Sequence, residues 1–229
     1  MAEDKRERLE HIAQQYHTND AVPDKHIEDL CQEYCSRWLI ESLGNASRVL
    51  ELGFGEGIVT RHIIESGRHL TVIEGAASLA TKLRESWGNR LRVVHGLFEE
   101  FDPGPERYDA VIASHVLEHV EDPVGLLRKM RNWLSPGGQL LVVVPNSESL
   151  HRRLAVLMGL QPALDTLSAR DRLVGHQRVY SLEGLRSDLQ AAGYTEQSMR
   201  GFFLKPLANG MMLDYSPALL AAMNEISDT

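Results

Sequence analysis

Residues able to move protons or hold cations sit close together in Ser114-His115-Val116-Leu117-Glu118-His119. His115, Glu118 and His119 are spaced i, i+3, i+4, so a helical turn would put all three on one face. A second polar group follows much later, in Asp171-Arg172-Leu173-Val174-Gly175-His176-Gln177-Arg178. Two chemistries fit these side chains. An imidazole, His119 before His115, can take a proton from a hydroxyl near neutral pH. Alternatively Glu118, His119 and His176, with His115 as a fourth candidate, can bind a divalent cation that lowers the pKa of an oxygen held against it. A plain structural use, shaping a turn and the floor of a site, stays open beside both. Mixed nitrogen and oxygen donors do not choose among Mg²⁺, Mn²⁺, Fe²⁺ and Zn²⁺.

A binding function is written further upstream, in Val49-Leu50-Glu51-Leu52-Gly53-Phe54-Gly55-Glu56-Gly57. An apolar strand runs into three alternating glycines and then a helix. Glycine lets the backbone turn sharply and approach a ligand without a Cβ, and a helix start offers free N–H groups. A dinucleotide fingerprint would place its third glycine at position 58; that position is Ile58, and the glycine is Gly57. Glu51 also departs from the apolar residue usual there, and a carboxylate at that point can orient the loop and reach a cationic ligand group through water. Glu74 follows Gly53 by 21 residues at the end of a second apolar run. An acid there can accept both hydroxyls of a ribose.

These side chains need a frame that delivers strand ends to one edge. Between residues 48 and 145, short apolar runs (Arg48 to Leu52, Leu70 to Ile73, Leu91 to His95, Tyr108 to Ala113, Gln139 to Val144) alternate with helical periodicity at 58–66, 76–87 and 123–134. That rhythm predicts a parallel sheet covered by helices on both faces, a doubly wound α/β fold. The chain divides into an N-terminal helical cap (1–47), the core (48–145), a helical cap or insertion over the site (146–180), and a C-terminal part (181–229). This last part is expected to carry an edge strand within Thr195 to Leu204 and a final helix. Tyr16 and His17 either close over the cofactor from the N-terminal helix or are ordinary surface residues. Arg152, Arg153, Arg172 and Arg178 line an acceptor pocket or serve as solvated helix charges.

Glu51-Leu52-Gly53-Phe54-Gly55-Glu56-Gly57 resembles motif I of class I S-adenosylmethionine (SAM)-dependent methyltransferases. Glu74 matches the ribose-binding acid of that family. Tyr108-Asp109-Ala110-Val111-Ile112-Ala113 is similar to its fourth-strand motif, and Leu134-Ser135-Pro136-Gly137-Gly138-Gln139-Leu140 to the turn before its fifth strand. The resemblance covers about residues 45–145. It implies a Rossmann-like sheet of order 3-2-1-4-5-7-6, although no clear seventh strand is visible. It also implies that Gly53, Gly55 and Gly57 pack against the methionine part of SAM, with Glu51 behind them. Glu74, Gly75 and Ala76 would then line the ribose, and Gly96, Leu97 and Phe98 the adenine, while Ser114 and His115 lie beside the sulfonium. Many relatives carry an Asp where this chain has Leu97. The Glu118-His119 pair with the later His176 resembles metal-assisted O-methyltransferases, among them ubiquinone-pathway and small-RNA enzymes. Sugar and natural-product methyltransferases resemble the 146–180 insertion and the string Gly201-Phe202-Phe203-Leu204-Lys205-Pro206-Leu207.

Composition narrows the acceptor. The 229 residues carry 24 Lys and Arg against 32 Asp and Glu, a net charge of -8, and only 6% aromatics. An acidic chain with few stacking platforms disfavours nucleic acid. No apolar run would cross a bilayer, and the charged start lacks a signal-peptide pattern, so a cytoplasmic location is expected. Cys31 and Cys35 read as reduced thiols. The expected activity is O-methylation of a small polar molecule, best a sugar hydroxyl in a glycosylated metabolite, with SAM and, by one reading, a divalent metal such as Mg²⁺. N-methylation of an amino sugar and O-methylation of a quinone-type phenol are the alternatives. A nicotinamide oxidoreductase and a non-catalytic SAM-binding subunit stand further off.

Overall fold

The structure is a computed structural model that describes residues 2–17 and 24–227. Two helices come first, α1 (Ala2–Ile12) and α2 (Lys25–Ser42). The core then alternates β1 (Arg48–Leu52), α3 (Ile58–Glu65), β2 (His69–Glu74), α4 (Ala77–Trp87), β3 (Leu91–His95), β4 (Tyr108–Ser114), α5 (Pro123–Trp133) and β5 (Leu134–Val143). The side chains of Tyr16 and His17 lie outside the described residues.

The five strands form one sheet in the order β3-β2-β1-β4-β5, and every pairing is parallel. Successive strand side chains point to opposite faces, so an apolar run with both faces covered builds two cores. Val49, Val72, Ala110 and Ile112 pack toward one set of helices with Ile63, Leu79 and Leu39. Leu50, Ile73, Val111 and Ala113 pack on the other face with Leu127, Met130 and Trp133. The reversal of strand order between β1 and β4 opens a crevice at their carboxyl ends, where ligands bind in open α/β sheets.

The remaining elements are α6 (Leu150–Leu157), α7 (Ala169–Leu173), α8 (Leu182–Ala191) and α9 (Pro217–Ile226). The segment between β5 and α8 leaves and rejoins the core at one point: Tyr180 N–H donates to Pro145 O, and Ser147 N–H to Tyr180 O. Helix α9 packs on α2 through Leu220, Met223 and Ile27.

The sheet corrects one expectation. Residues 195–204 form no strand, and among the described residues no strand extends the sheet beyond β5. The stretch Glu196-Gln197-Ser198-Met199-Arg200-Gly201 has no period-2 apolar alternation to bury on a sheet face. Its side chains pair locally instead, Arg186 holding Glu196 at 2.7 and 3.0 Å. Cys31 and Cys35 are free thiols, both pushed up to about 12 by burial.

Candidate active site

The glycine loop folds as its sequence requires. Gly53, Gly55 and Gly57 all have positive φ, at 77°, 51° and 78°. At Gly57, which starts α3, a Cβ would meet the Phe54 ring at 2.3 Å. Only glycine combines that φ with that contact.

Two buried carboxyls brace the loop. Glu51 accepts from Thr60 Oγ1 at 2.7 Å. Full burial pushes its pKa up to about 8, against the Thr60 hydrogen bond and with help from the Glu74 charge. Glu74 is 6% exposed, so it is no solvated strand-end acid. Its oxygens accept from Phe54 N–H at 2.9 Å and Ala76 N–H at 2.7 Å, which ties β2 to the loop after β1. Each carboxylate oxygen keeps capacity for a further donor. Beyond β3, Leu97 is buried and Phe98 begins a short 3₁₀ turn. The Phe98 ring sits 3.7 Å from where a Gly53 Cβ would be.

Helix α1 covers this edge. A Cβ on Gly75 would come within 2.6 Å of Leu9 Cδ1 and 3.8 Å of Leu97 Cδ2. Lys5 pairs with Glu99 at 2.5 Å, and Glu10 accepts from Ser78 N–H at 3.1 Å. Sequence reasoning missed Leu9. Its i, i+3 spacing with Ile12 was legible, but what that face covers was not.

The chemistry-bearing stretch follows β4. His115 has φ 57°, an unusual backbone for a side chain with a Cβ. Residues 117–119 form a turn rather than the helix that would align all three groups. The turn still brings them together: His115 Nδ1 lies 3.1 Å from Glu118 Oε1. Burial opposes the charge of both groups. Their mutual hydrogen bond and attraction outweigh it, leaving His115 raised and Glu118 lowered from their ordinary values. The His115 side chain is 42% exposed; that of Glu118 is fully buried. The second Glu118 oxygen, Oε2, has no partner among the described residues.

The third group arrives from the insertion. His119 and His176 stack edge to face with ring centroids 4.7 Å apart. Ligand atoms of Glu118, His119 and His176 all lie within 4.8 Å of one another. Burial first, then the neighbouring imidazoles, push His119 down to about 4, so its ring is neutral at neutral pH. The insertion clasps the turn directly. Gln177 N–H donates to Glu118 O at 2.8 Å, its side-chain amide to His119 O at 2.6 Å, and Arg178 to Leu117 O at 3.0 Å and to Val120 O.

Arg152 and Arg153 line the cleft, and each of the four arginines also braces the frame. Arg178 holds the turn, and Arg152 is buried on Asp171 at 2.8 Å. Arg153 and Arg172 donate to nearby backbone carbonyls at the surface. Elsewhere in the cleft, His151 Nδ1 is buried without a partner among the described residues. Lys205, whose carbonyl accepts from His151 N–H at 3.0 Å, lines the same cleft.

Comparisons with known proteins agree with this geometry. A family model described as a methyltransferase domain matches residues 24–198. The chain is 26% identical over 185 residues to a ubiquinone biosynthesis O-methyltransferase of Aeromonas salmonicida, covering 77% of this chain and 75% of that one. A protein of the same name from Xylella fastidiosa is 31% identical over 121 residues, 50% of this chain but only 46% of its own length. Among solved structures, the 1,6-didemethyltoxoflavin-N1-methyltransferase of Burkholderia thailandensis shares the fold. Its TM-score is 0.58 at 20% identity, covering 86% of this chain and 79% of that one.

Proposed function

The chain belongs to the methyltransferase-domain family as an SAM-dependent methyltransferase, and from that premise we propose that it methylates a hydroxyl of a small polar acceptor, best a sugar. The acceptor oxygen would be held at a divalent cation bound by Glu118, His119 and His176. The observation that carries the cation is the meeting of these three groups within 4.8 Å, at a buried carboxylate whose Oε2 has no partner among the described residues. A buried, unpaired carboxylate oxygen is costly unless something positive completes it. When bound, the cation supplies a lowered pKa for the acceptor hydroxyl.

The chain's own residues do the rest. The backbone of Gly53, Gly55 and Gly57 cradles the methionine part of SAM, with Glu51 behind it reaching the ammonium. Glu74 offers its remaining lone pairs to the ribose hydroxyls beside Gly75 and Ala76. Gly96, Leu97 and Phe98 line the adenine, and Ser114 and His115 lie beside the sulfonium. A sulfonium methyl needs little activation, so holding the nucleophile in line carries most of the rate. The acceptor hydroxyl loses its proton to solvent water, its oxygen forms the new C–O bond as the S–CH₃ bond breaks, and S-adenosylhomocysteine (SAH) leaves as a neutral thioether. The cleft favours a polar acceptor, since His151 and Lys205 both line it. A phenolic acceptor, as the relatives' names suggest, is the alternative.

A second reading rests on His115. Its exposed imidazole, bonded to Glu118, can take the hydroxyl proton directly. Chelation separates the two. Under the cation reading, EDTA-treated enzyme loses at least tenfold in turnover on a sugar or catechol acceptor, and Mn²⁺ or Mg²⁺ restores it. Full turnover in verified metal-free enzyme would leave an imidazole, His119 or His115, as the base.

A further inference from the structure

We propose that Asp171 is the positioning residue of this site: it fixes which nitrogen His176 turns toward Glu118 and His119, and Arg152 holds Asp171 in place to do so. The inference rests on the cation reading above and adds the residues that would preorganise it.

The geometry is tightly specified. Asp171 Oδ1 lies 3.0 Å from His176 Nδ1, and Asp171 O accepts from His176 N–H at 2.7 Å, so side chain and backbone grip the same residue. The other oxygen, Oδ2, accepts from Arg152 at 2.8 Å and from Ser168 N–H at 2.7 Å. Arg152 itself is 7% exposed and donates onward to Thr166 O at 2.8 Å and Leu164 O at 3.3 Å. Ser168 caps α7 in a reciprocal capping box with Asp171. The insertion is thus wound around one carboxylate.

An ionised carboxylate only accepts hydrogen bonds, so the nitrogen facing it must carry the hydrogen. In a neutral ring the lone pair is then on the other nitrogen, Nε2, the one left for the triad. A carboxylate behind a ligating histidine fixes tautomer and ring orientation together. Burying an arginine–aspartate pair is an inefficient way to gain stability, because desolvation offsets most of the attraction. Placing that pair behind a ligand histidine is intelligible as orientation.

Two measurements test this. In the metal-free, unmodified chain, ¹⁵N NMR of labelled histidines reads the tautomer directly: neutral His176 is expected with its hydrogen on Nδ1 and a bare Nε2. In the SAH-bound full chain, calorimetric titration with Mn²⁺ reads the site. Asp171→Asn should weaken Mn²⁺ binding by about 10- to 100-fold, leave SAH affinity within about twofold, and be partly rescued by Asp171→Glu. A hydrogen on Nε2, or Mn²⁺ binding by Asp171→Asn as tight as by the unmodified chain, overturns the proposal. If the unmodified chain takes up no Mn²⁺, the cation reading falls, and the tautomer alone decides the role of Asp171. The same holds if Asp171→Asn does not fold.

Discussion

A fully buried Glu51 carries a proton at neutral pH, and this links its chemistry to both stability and cofactor binding. Its pKa of about 8 lies above the ordinary value of 4.5. Below pH 4.5 the carboxyl is protonated in folded and unfolded chains alike. As pH rises toward 8, the unfolded chain ionises freely while the folded one does not, so stability falls across that window. Glu51→Gln should therefore stabilise the ligand-free protein by about 2 kcal/mol at pH 7 and flatten the pH dependence of urea unfolding. Under the role proposed for Glu51 it should also weaken SAM binding, because an amide has no negative charge to offer the ammonium. The same balance makes SAM bind more tightly as pH rises through 8, measurable by calorimetry; affinity flat from pH 6.5 to 9 would remove Glu51 from the cofactor. The sequence marked Glu51 and the three glycines by type alone. Nothing in it revealed that Glu74 holds the Phe54 and Ala76 amides.

At the scale of elements, helix α1 and the 146–180 insertion meet over the crevice. Leu9 lies against Gly75, and Arg8 donates to Gly175 O at 3.3 Å, one residue before His176. Helix α1 thereby touches Gly75 after β2 and the histidine-bearing loop together. Leu9→Ala should raise the Kd for SAH about fivefold, the loss of roughly 1 kcal/mol of apolar contact, with the far-UV circular dichroism unchanged. An unaltered Kd would mean that α1 does not cover the bound cofactor. The amphipathic pattern of both segments was readable from spacing. Their docking was not, because an apolar stripe does not say which surface it covers. Arg152 illustrates the point: it lines the cleft as its type suggested, and only the fold shows its guanidinium bound to Asp171.

For the whole molecule, membership of the methyltransferase-domain family predicts SAM as the cofactor, a choice the doubly wound sheet alone does not make. A saturating ligand that binds only the folded state stabilises it by about 2.7 kcal/mol at 100 times its Kd. SAH should accordingly raise the Tm by several degrees, about 5–10 °C for a chain of this size, while NAD⁺ should not move it. A shift with NAD⁺ and none with SAH would overturn the assignment. No helix of the described residues is long and apolar enough to cross a membrane. Local sequence determined the strand–helix alternation, the glycine loop and the two acids at the strand ends, because each depends on backbone conformation or on periodicity within a few residues. The expected strand at 195–204 failed because residues 196–201 lack the period-2 apolar alternation that a sheet face buries. Only tertiary structure brought His176 to Glu118 and His119 across 57 residues of chain and wound the insertion around Asp171. Such meetings depend on closing a loop whose return point is fixed by packing and backbone hydrogen bonds, here between Tyr180 and residues 145–147.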